Sequence, residues 1–393
     1  MFAKIVLALI IILLILILAV LGYDYLTDLL NWIGRIKIGK ITDNKEWLNN
    51  CRAVILKWAS KGTPEVPKNE NQKLKLINKI KNRKSISPIC YWQDAAILKA
   101  LTEKAGSDAR ESVEDLLDRY IDENSGDWNK KPEKVDAAIL AYEMLANKFI
   151  DNTFIEPAMN SVAQMLNKSF NEYGHIPYNN SISNICFVDT IGMVCPFLIK
   201  YAVVYQKPDF VNIAIKQIGQ YFRFGFDEKT KLPFHCFNSE NEFRLGICGW
   251  GRGCGWWAIG VVDSLREIMN LDGFNKEKAL LLKLSVSFMD NFKKYICDDG
   301  SVGRMLLQQS LSDSSASAML AYCYAYMFTL THKNEYKDNA EKIIGYLKTA
   351  TRRDGVIDYS QGDTMGIGYY SSNFSVVPAA QGFAVAAAEI IYE

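Results

Sequence analysis

The chain has little histidine and no cysteine framework. In 393 residues there are three histidines, His175, His235 and His332, and nine cysteines, none in C-x-x-C spacing. Spacing therefore builds no zinc-like cluster, and no metal or other cofactor is expected. Cys195 and Cys323 fall inside apolar helical runs, where a thiol acts as a small hydrophobe. The set reads as reduced thiols rather than disulfides. An excess of either charge is missing too: 45 Lys and Arg face 44 Asp and Glu, a net charge of +1. That excludes the basic footprint of a nucleic-acid binder. Two-residue alternation is nearly absent, which argues against all-β and α/β folds. No fixed-period repeat is visible, which argues against a helical solenoid. The one glycine-rich run lacks the Lys-Ser/Thr pair of a phosphate loop.

What is present is a large apolar share, 49%, beside 23% charged residues. This is the balance of a globular protein with a sizeable core. Residues 5–21, IVLALIIILLILILAVL, form an unbroken apolar run. As a helix it spans about 25 Å, near the thickness of a bilayer's hydrocarbon core. It has no small-x-small ending, so an uncleaved anchor is favoured over a signal peptide. Only Lys4 precedes the run, whereas Arg35, Lys37 and Lys40 follow it. The positive-inside bias then predicts a single-pass membrane protein with its soluble domain on the cytoplasmic side. Three parts are expected: an anchor at 1–22, an amphipathic juxtamembrane linker at 23–42, and one helical domain at 43–393.

Helix-period segments recur through that domain, about a dozen from 43–59 to 377–392. Short connections such as Gln206-Lys207-Pro208 alternate with long ones rich in Gly, aromatic and polar residues: 171–189, 224–254, 298–312 and 351–376. The pattern predicts a ring of six helical hairpins with its elaborate loops on one rim. Inner-helix N-termini and aromatic side chains would line a pocket there, suited to an anionic sugar.

Within those loops stand the candidate functional residues. Asp189 follows Phe187 and opens an apolar helix. It reads either as an N-cap or as an acid whose pKa is raised by its apolar setting. Asp136 opens another helix beside Lys131, Glu133 and Lys134. It reads as a surface helix-start acid or as the second member of an acid–base pair. His175 and His235 lie in aromatic loops, whereas His332 ends a helix. The stretch Gly249-Trp250-Gly251-Arg252-Gly253-Cys254-Gly255-Trp256-Trp257 is the most specific. Its glycines would let backbone approach a ligand, Arg252 offers a fork for a carboxylate, and Trp250 and Trp256 offer stacking faces.

That stretch resembles the W-x-R-G-N-G-W signature of the unsaturated uronyl hydrolases, glycoside hydrolase families 88 and 105. Phe187-Val188-Asp189, with Met193 and Pro196-Phe197-Leu198, is similar to their W-x-D…M…P-F-L segment. Gly174-His175, the loop around His235, Asp313-Ser314-Ser315-Ala316-Ser317-Ala318 and Gln381-Gly382-Phe383-Ala384 fall in the family's order. The similarity runs from about Tyr91 to the C-terminus. It implies an all-α (α/α)6 barrel and a hydrolase for oligosaccharides ending in a 4,5-unsaturated uronic acid. The implied reaction is hydration of the C4=C5 vinyl ether rather than displacement at the anomeric carbon. Asp189 would be the general acid/base and Asp136 its partner. His175, Phe187, His235, Arg252 and Trp256 would bind an anionic oligosaccharide, with no cofactor. The sequence departs from the pattern at Cys254, where the signature has Asn, at Phe187, where it has Trp, and in its apolar N-terminus. Two other readings stay open: an ordinary acid–base glycosidase on the same barrel, and a membrane-tethered glycan-binding protein with a decayed site. A sugar epimerase is disfavoured by the scarcity of histidine.

Overall fold

A computed structural model describes residues 1–64, 66, 74–82, 91–364 and 366–393. Six helices form a closed inner ring: α4 (Tyr91–Ala100), α6 (Ala137–Ala146), α8 (Val188–Tyr205), α10 (Gly251–Ile268), α12 (Ser314–Thr331) and α14 (Pro378–Tyr392). Each packs against the next, and α14 returns to α4. Around them stand α2 (Asn44–Lys61), α5 (Ala109–Asp118), α7 (Glu156–Lys168), α9 (Asp209–Phe224), α11 (Asn275–Phe292) and α13 (Asn334–Thr349). This is an (α/α)6 barrel.

The sequence dictates which helix goes where. In α6 every residue from Ala137 to Leu145 is buried, and in α10 only Arg266 is not. Helices apolar all round belong inside. By contrast, α9 buries Val211, Ala214, Ile218 and Tyr221, a single stripe at helical spacing. Close approach of inner helices is set by glycines. A Cβ at Gly192 of α8 would stand 2.5 Å from the Trp256 carbonyl oxygen of α10, and one at Gly260 would strike Ile191. Gln206 and His332 end α8 and α12 in the left-handed conformation, at φ 55° and 56°.

The rim carries structure that period counting does not reveal. Strands β1 (Ile185–Phe187), β2 (Phe234–Asn238) and β3 (Arg244–Cys248) form an antiparallel sheet in that order, with β1 and β2 paired Phe187 to Cys236 and Cys186 to Phe237. A bulge interrupts β2 between Phe234 and Cys236. A second ribbon joins β4 (Ser360–Gln361) to β5 (Phe374–Ser375). All three residues of β1 are buried, so no apolar–polar alternation marks it. Helix α10 also begins at Gly251, inside the stretch expected to be loop.

Outside the two rings lie α1 (Phe2–Arg35) and α3 (Lys75–Asn82), which pack together. The helix period of the sequence also predicts a segment at 71–82, of which the described residues carry the helix from Lys75 onward. Helix α1 runs through residue 22 without a break, and none of it is buried in the protein. Among the described residues, two helices are long and apolar enough to cross a membrane. They are α1, with mean hydropathy 3.6 over its most apolar window, and α8, with 1.4. Helix α8 is 72% buried over that window and is a wall of the barrel. By length and composition α1 fits both a membrane span and a secretory signal. The eight described cysteines are free thiols, and Cys90 lies outside the described residues.

Candidate active site

Loops converge where the inner helices begin. Asp189 occupies the first turn of α8, one residue inside the helix whose N-cap is Phe187, and Phe187 makes no side-chain cap bond. Its Oδ2 is buried with no hydrogen-bond partner among the described residues. The N-cap reading therefore gives way to that of a buried carboxyl in the first turn with one oxygen left unpartnered. His235, brought in by the β2 bulge, places Nε2 3.5 Å from that oxygen. Its Nδ1 lies 2.9 Å from the Tyr370 hydroxyl. The same hydroxyl accepts the Ile247 N–H at 2.9 Å. A hydroxyl proton given to Nδ1 would leave the hydrogen of the neutral imidazole on Nε2, toward Asp189.

An aromatic cage encloses this group. The His235 ring stands 5.2 Å from Phe187, 4.7 Å from Trp250 and 5.3 Å from Tyr370, centroid to centroid. Trp250 is fixed in turn by its indole N–H, which donates to Gln361 Oε1 at 3.0 Å. Asp136 stands at the N-cap of α6, beside α8 in the ring, yet its side chain makes no cap bond. Its Oδ1 is buried and has no partner among the described residues. Burial pushes this carboxyl up to about 7; nearby Lys134 opposes the shift and Asp363 adds to it. A surface role for Asp136 is thereby set aside.

Other residues singled out in the sequence sit elsewhere. Arg252 is buried in the first turn of α10, between the rings of Trp92 and Trp250. Its fork donates to the carbonyls of Gln361 at 2.8 Å and Gly362 at 3.0 Å, so it holds the 351–376 loop rather than offering an open carboxylate clamp. Trp256 is buried and packs edge-on to Trp92 within the core at 5.7 Å, so the stacking face expected of it is covered. The glycines of this stretch serve packing as well. A Cβ at Gly253 would strike Trp250, and one at Gly255 would strike Met319 of α12. His175 lies against Phe237 at 5.4 Å, on the face of the small sheet opposite Phe187 and Cys236. Burial, and then Lys216, lower its imidazole to about 4. Of the expected site residues, the structure thus gathers Asp189, Phe187 and His235, with Asp136 on the adjoining helix. It adds Trp250, Gln361 and Tyr370, of which only Trp250 lay in a recognisable motif.

Comparison with known proteins fits this arrangement. The family profile described as Glycosyl Hydrolase Family 88 matches residues 58–389. The chain belongs to glycosyl hydrolase family 88. It is a glycoside hydrolase, related to the unsaturated glucuronyl hydrolases. A solved structure of a possible family 105 member from Salmonella enterica serovar Paratyphi A superposes with a TM-score of 0.74 at 16% identity, over 89% of this chain and 94% of that one. The unsaturated glucuronyl hydrolase of Bacillus sp. GL1 gives 0.62 at 17%, over 88% and 95%. One specific for heparin gives 0.62 at 14%, over 88% and 97%. None of the curated proteins compared matches the chain in sequence. Within family 88, the Cys254 departure now has a place. Two residues from Arg252, it points about 200° around α10. It is fully buried, near Cys248 and Tyr295.

Proposed function

We propose that this family 88 enzyme hydrates the C4=C5 double bond of oligosaccharides that end in an unsaturated uronic acid. The observation that carries the reading is the unpartnered Oδ2 of Asp189, 3.5 Å from His235 Nε2 in an aromatic cage at the barrel mouth. Asp189 delivers its proton to C4, and the cation that develops at C5 is shared with the ring oxygen. A water adds at C5 and returns a proton to the Asp189 carboxylate. The resulting hemiketal opens and the remaining saccharide leaves. His235, oriented by Tyr370, holds the aspartate oxygen on the reaction side. Phe187 and Trp250 supply flat faces for the sugar ring, and largely neutral Asp136 donates a hydrogen bond to it.

A second assignment has one observation in its favour. Asp136 is the carboxyl that burial raises to about 7, so it keeps much of its proton at neutrality. An exchange of acid roles between the two carboxyls would show as a pH–rate profile governed by Asp136. For residues 5–21 we take the anchor reading: the chain is held in a bilayer by α1, with the barrel on the cytoplasmic side. The test of the main proposal is an unsaturated disaccharide prepared with a polysaccharide lyase. Wild type should consume its ultraviolet absorbance, and Asp189→Asn should not. Release of sugar with the absorbance intact would favour an ordinary glycosidase.

A further inference from the structure

The half of α1 beyond residue 22 is inverted relative to an ordinary surface helix. Its polar stripe faces the protein. Asp24 accepts the N–H groups of Leu74 at 2.6 Å and Lys75 at 2.7 Å, and Asp28 pairs with the Lys75 ammonium. Arg35 forks onto Asp358 at 2.9 and 3.0 Å and also donates to the Phe374 carbonyl at 3.1 Å. Its apolar stripe faces outward: Tyr25, Leu26, Leu30, Trp32, Ile33 and Ile36 are exposed. Everything α1 grips leads to the barrel mouth. Leu74 and Lys75 belong to the segment that enters α4. Asp358 and Phe374 flank the loop whose Gln361 and Tyr370 hold Trp250 and His235.

Asp358 has no solvent exposure and takes a second fork from Arg352. Burial raises its pKa, but Arg35, Arg352 and the Tyr359 N–H outweigh that and hold it low. A buried carboxylate bound this way keeps α1 fixed to the rim, because losing one guanidinium leaves charge uncompensated. Helix α1 is also about 51 Å long, well beyond the roughly 30 Å of a hydrocarbon core. Its outward apolar stripe therefore continues past the span and reaches the rim. Outside α1, the most exposed large apolar side chains among the described residues are Phe243 (68%) and Leu311 (63%), both on rim loops. Exposed Leu307, Ile367 and Tyr369 belong to the same rim, whose loops Arg304 ties together by donating to the Ser371 carbonyl at 3.2 Å.

We propose that the open rim of the barrel is a bilayer-docking surface, and that α1 fixes it there so that the enzyme works mouth-down on the membrane. This rests on the anchor reading of α1. The apolar run of α1, its outward stripe and the exposed rim tips are surfaces that one bilayer would cover, and lipid is the occupant that suits them all. Saccharide ends held close to the lipid headgroups are then what the mouth meets.

The test uses the full chain in vesicles of phosphatidylcholine and phosphatidylglycerol, with and without brominated acyl chains. The background is Cys297→Ser, since Cys297 is the exposed thiol among the described residues. Leu13→Cys, Leu311→Cys, Phe243→Cys and Met269→Cys each carry a fluorescent label; Met269 lies at the far end of α10. Turnover of a soluble unsaturated disaccharide checks that each labelled protein is folded. The expected result is bromine-dependent loss of fluorescence at Leu13, Leu311 and Phe243, and none at Met269. Loss at Leu13 alone, or equal loss at Met269, overturns the rim while leaving the anchor in place. No loss at Leu13 overturns the anchor and the rim together.

Discussion

The two ends of the barrel both bury charge and treat it in opposite ways. Toward the far end, Lys99 Nζ lies 2.9 Å from Glu143 and 3.1 Å from Asp263. Lys200 reaches Glu267 at 2.9 Å, and the Tyr322 hydroxyl donates to Asp263 at 2.5 Å. Burial alone would lower the Lys99 pKa, but Asp263 and Glu143 outweigh it and hold the ammonium well above its ordinary value. At the rim, Asp136 has no ion pair among the described residues, and Asp189 meets only the His235 imidazole, at 3.5 Å. Burial by itself therefore does not mark chemistry. Burial of a charge that has its partner marks architecture, and burial of one without marks a group held for something else.

The contrast can be broken from either end. The largest effect is expected at Asp189. Asp189→Asn should lower kcat by about a thousandfold while leaving thermal unfolding close to wild type. At the far end the sign reverses. Lys99→Met should cost about 3–5 kcal/mol in denaturant unfolding, because it strands two buried carboxylates, with kcat per folded molecule unchanged. A large kcat loss there would erase the distinction.

Asp136 sharpens the comparison through pH. Its carboxyl titrates near its ordinary value of about 4 in the unfolded chain and at about 7 in the folded one. Between those values the folded state holds the extra proton. Its stabilising contribution is fully present below pH 4 and is lost as pH rises through 7. Asp136→Asn should therefore gain on wild type by roughly 4 kcal/mol between pH 4 and pH 8, measured as denaturant midpoints across that range. A constant gap would mean that the carboxyl is not held neutral. The smallest effect is expected at Tyr370. Tyr370→Phe leaves His235 Nδ1 without its donor and should lower kcat by up to about tenfold, with a shifted pH–rate profile and little change in KM.

Legibility in the sequence followed physical range. Helix period reports burial over a few turns, so the inner and outer helices could be read directly, α6 and α10 from their continuous apolar character. Asp189 and His235 were visible because each sits in a short, unusual run. The partners of Arg252 were not legible because the carbonyls of Gln361 and Gly362 lie more than a hundred residues away, as does Tyr370 from His235. The glycines around it signal close approach but not to what, and the answer was α12 and the Trp250 indole. His175 resembles His235 in its local sequence. Only the bulge in β2 and the ring contacts, His235 on Phe187 and His175 on Phe237, show that the two occupy opposite faces of one small sheet.

The central claim concerns a double bond, and a spectrophotometer follows it directly. With a lyase-generated unsaturated disaccharide and the wild-type enzyme, absorbance of the unsaturated uronide should fall in step with release of the second sugar. Release of that sugar while the absorbance persists would contradict hydration at C4=C5.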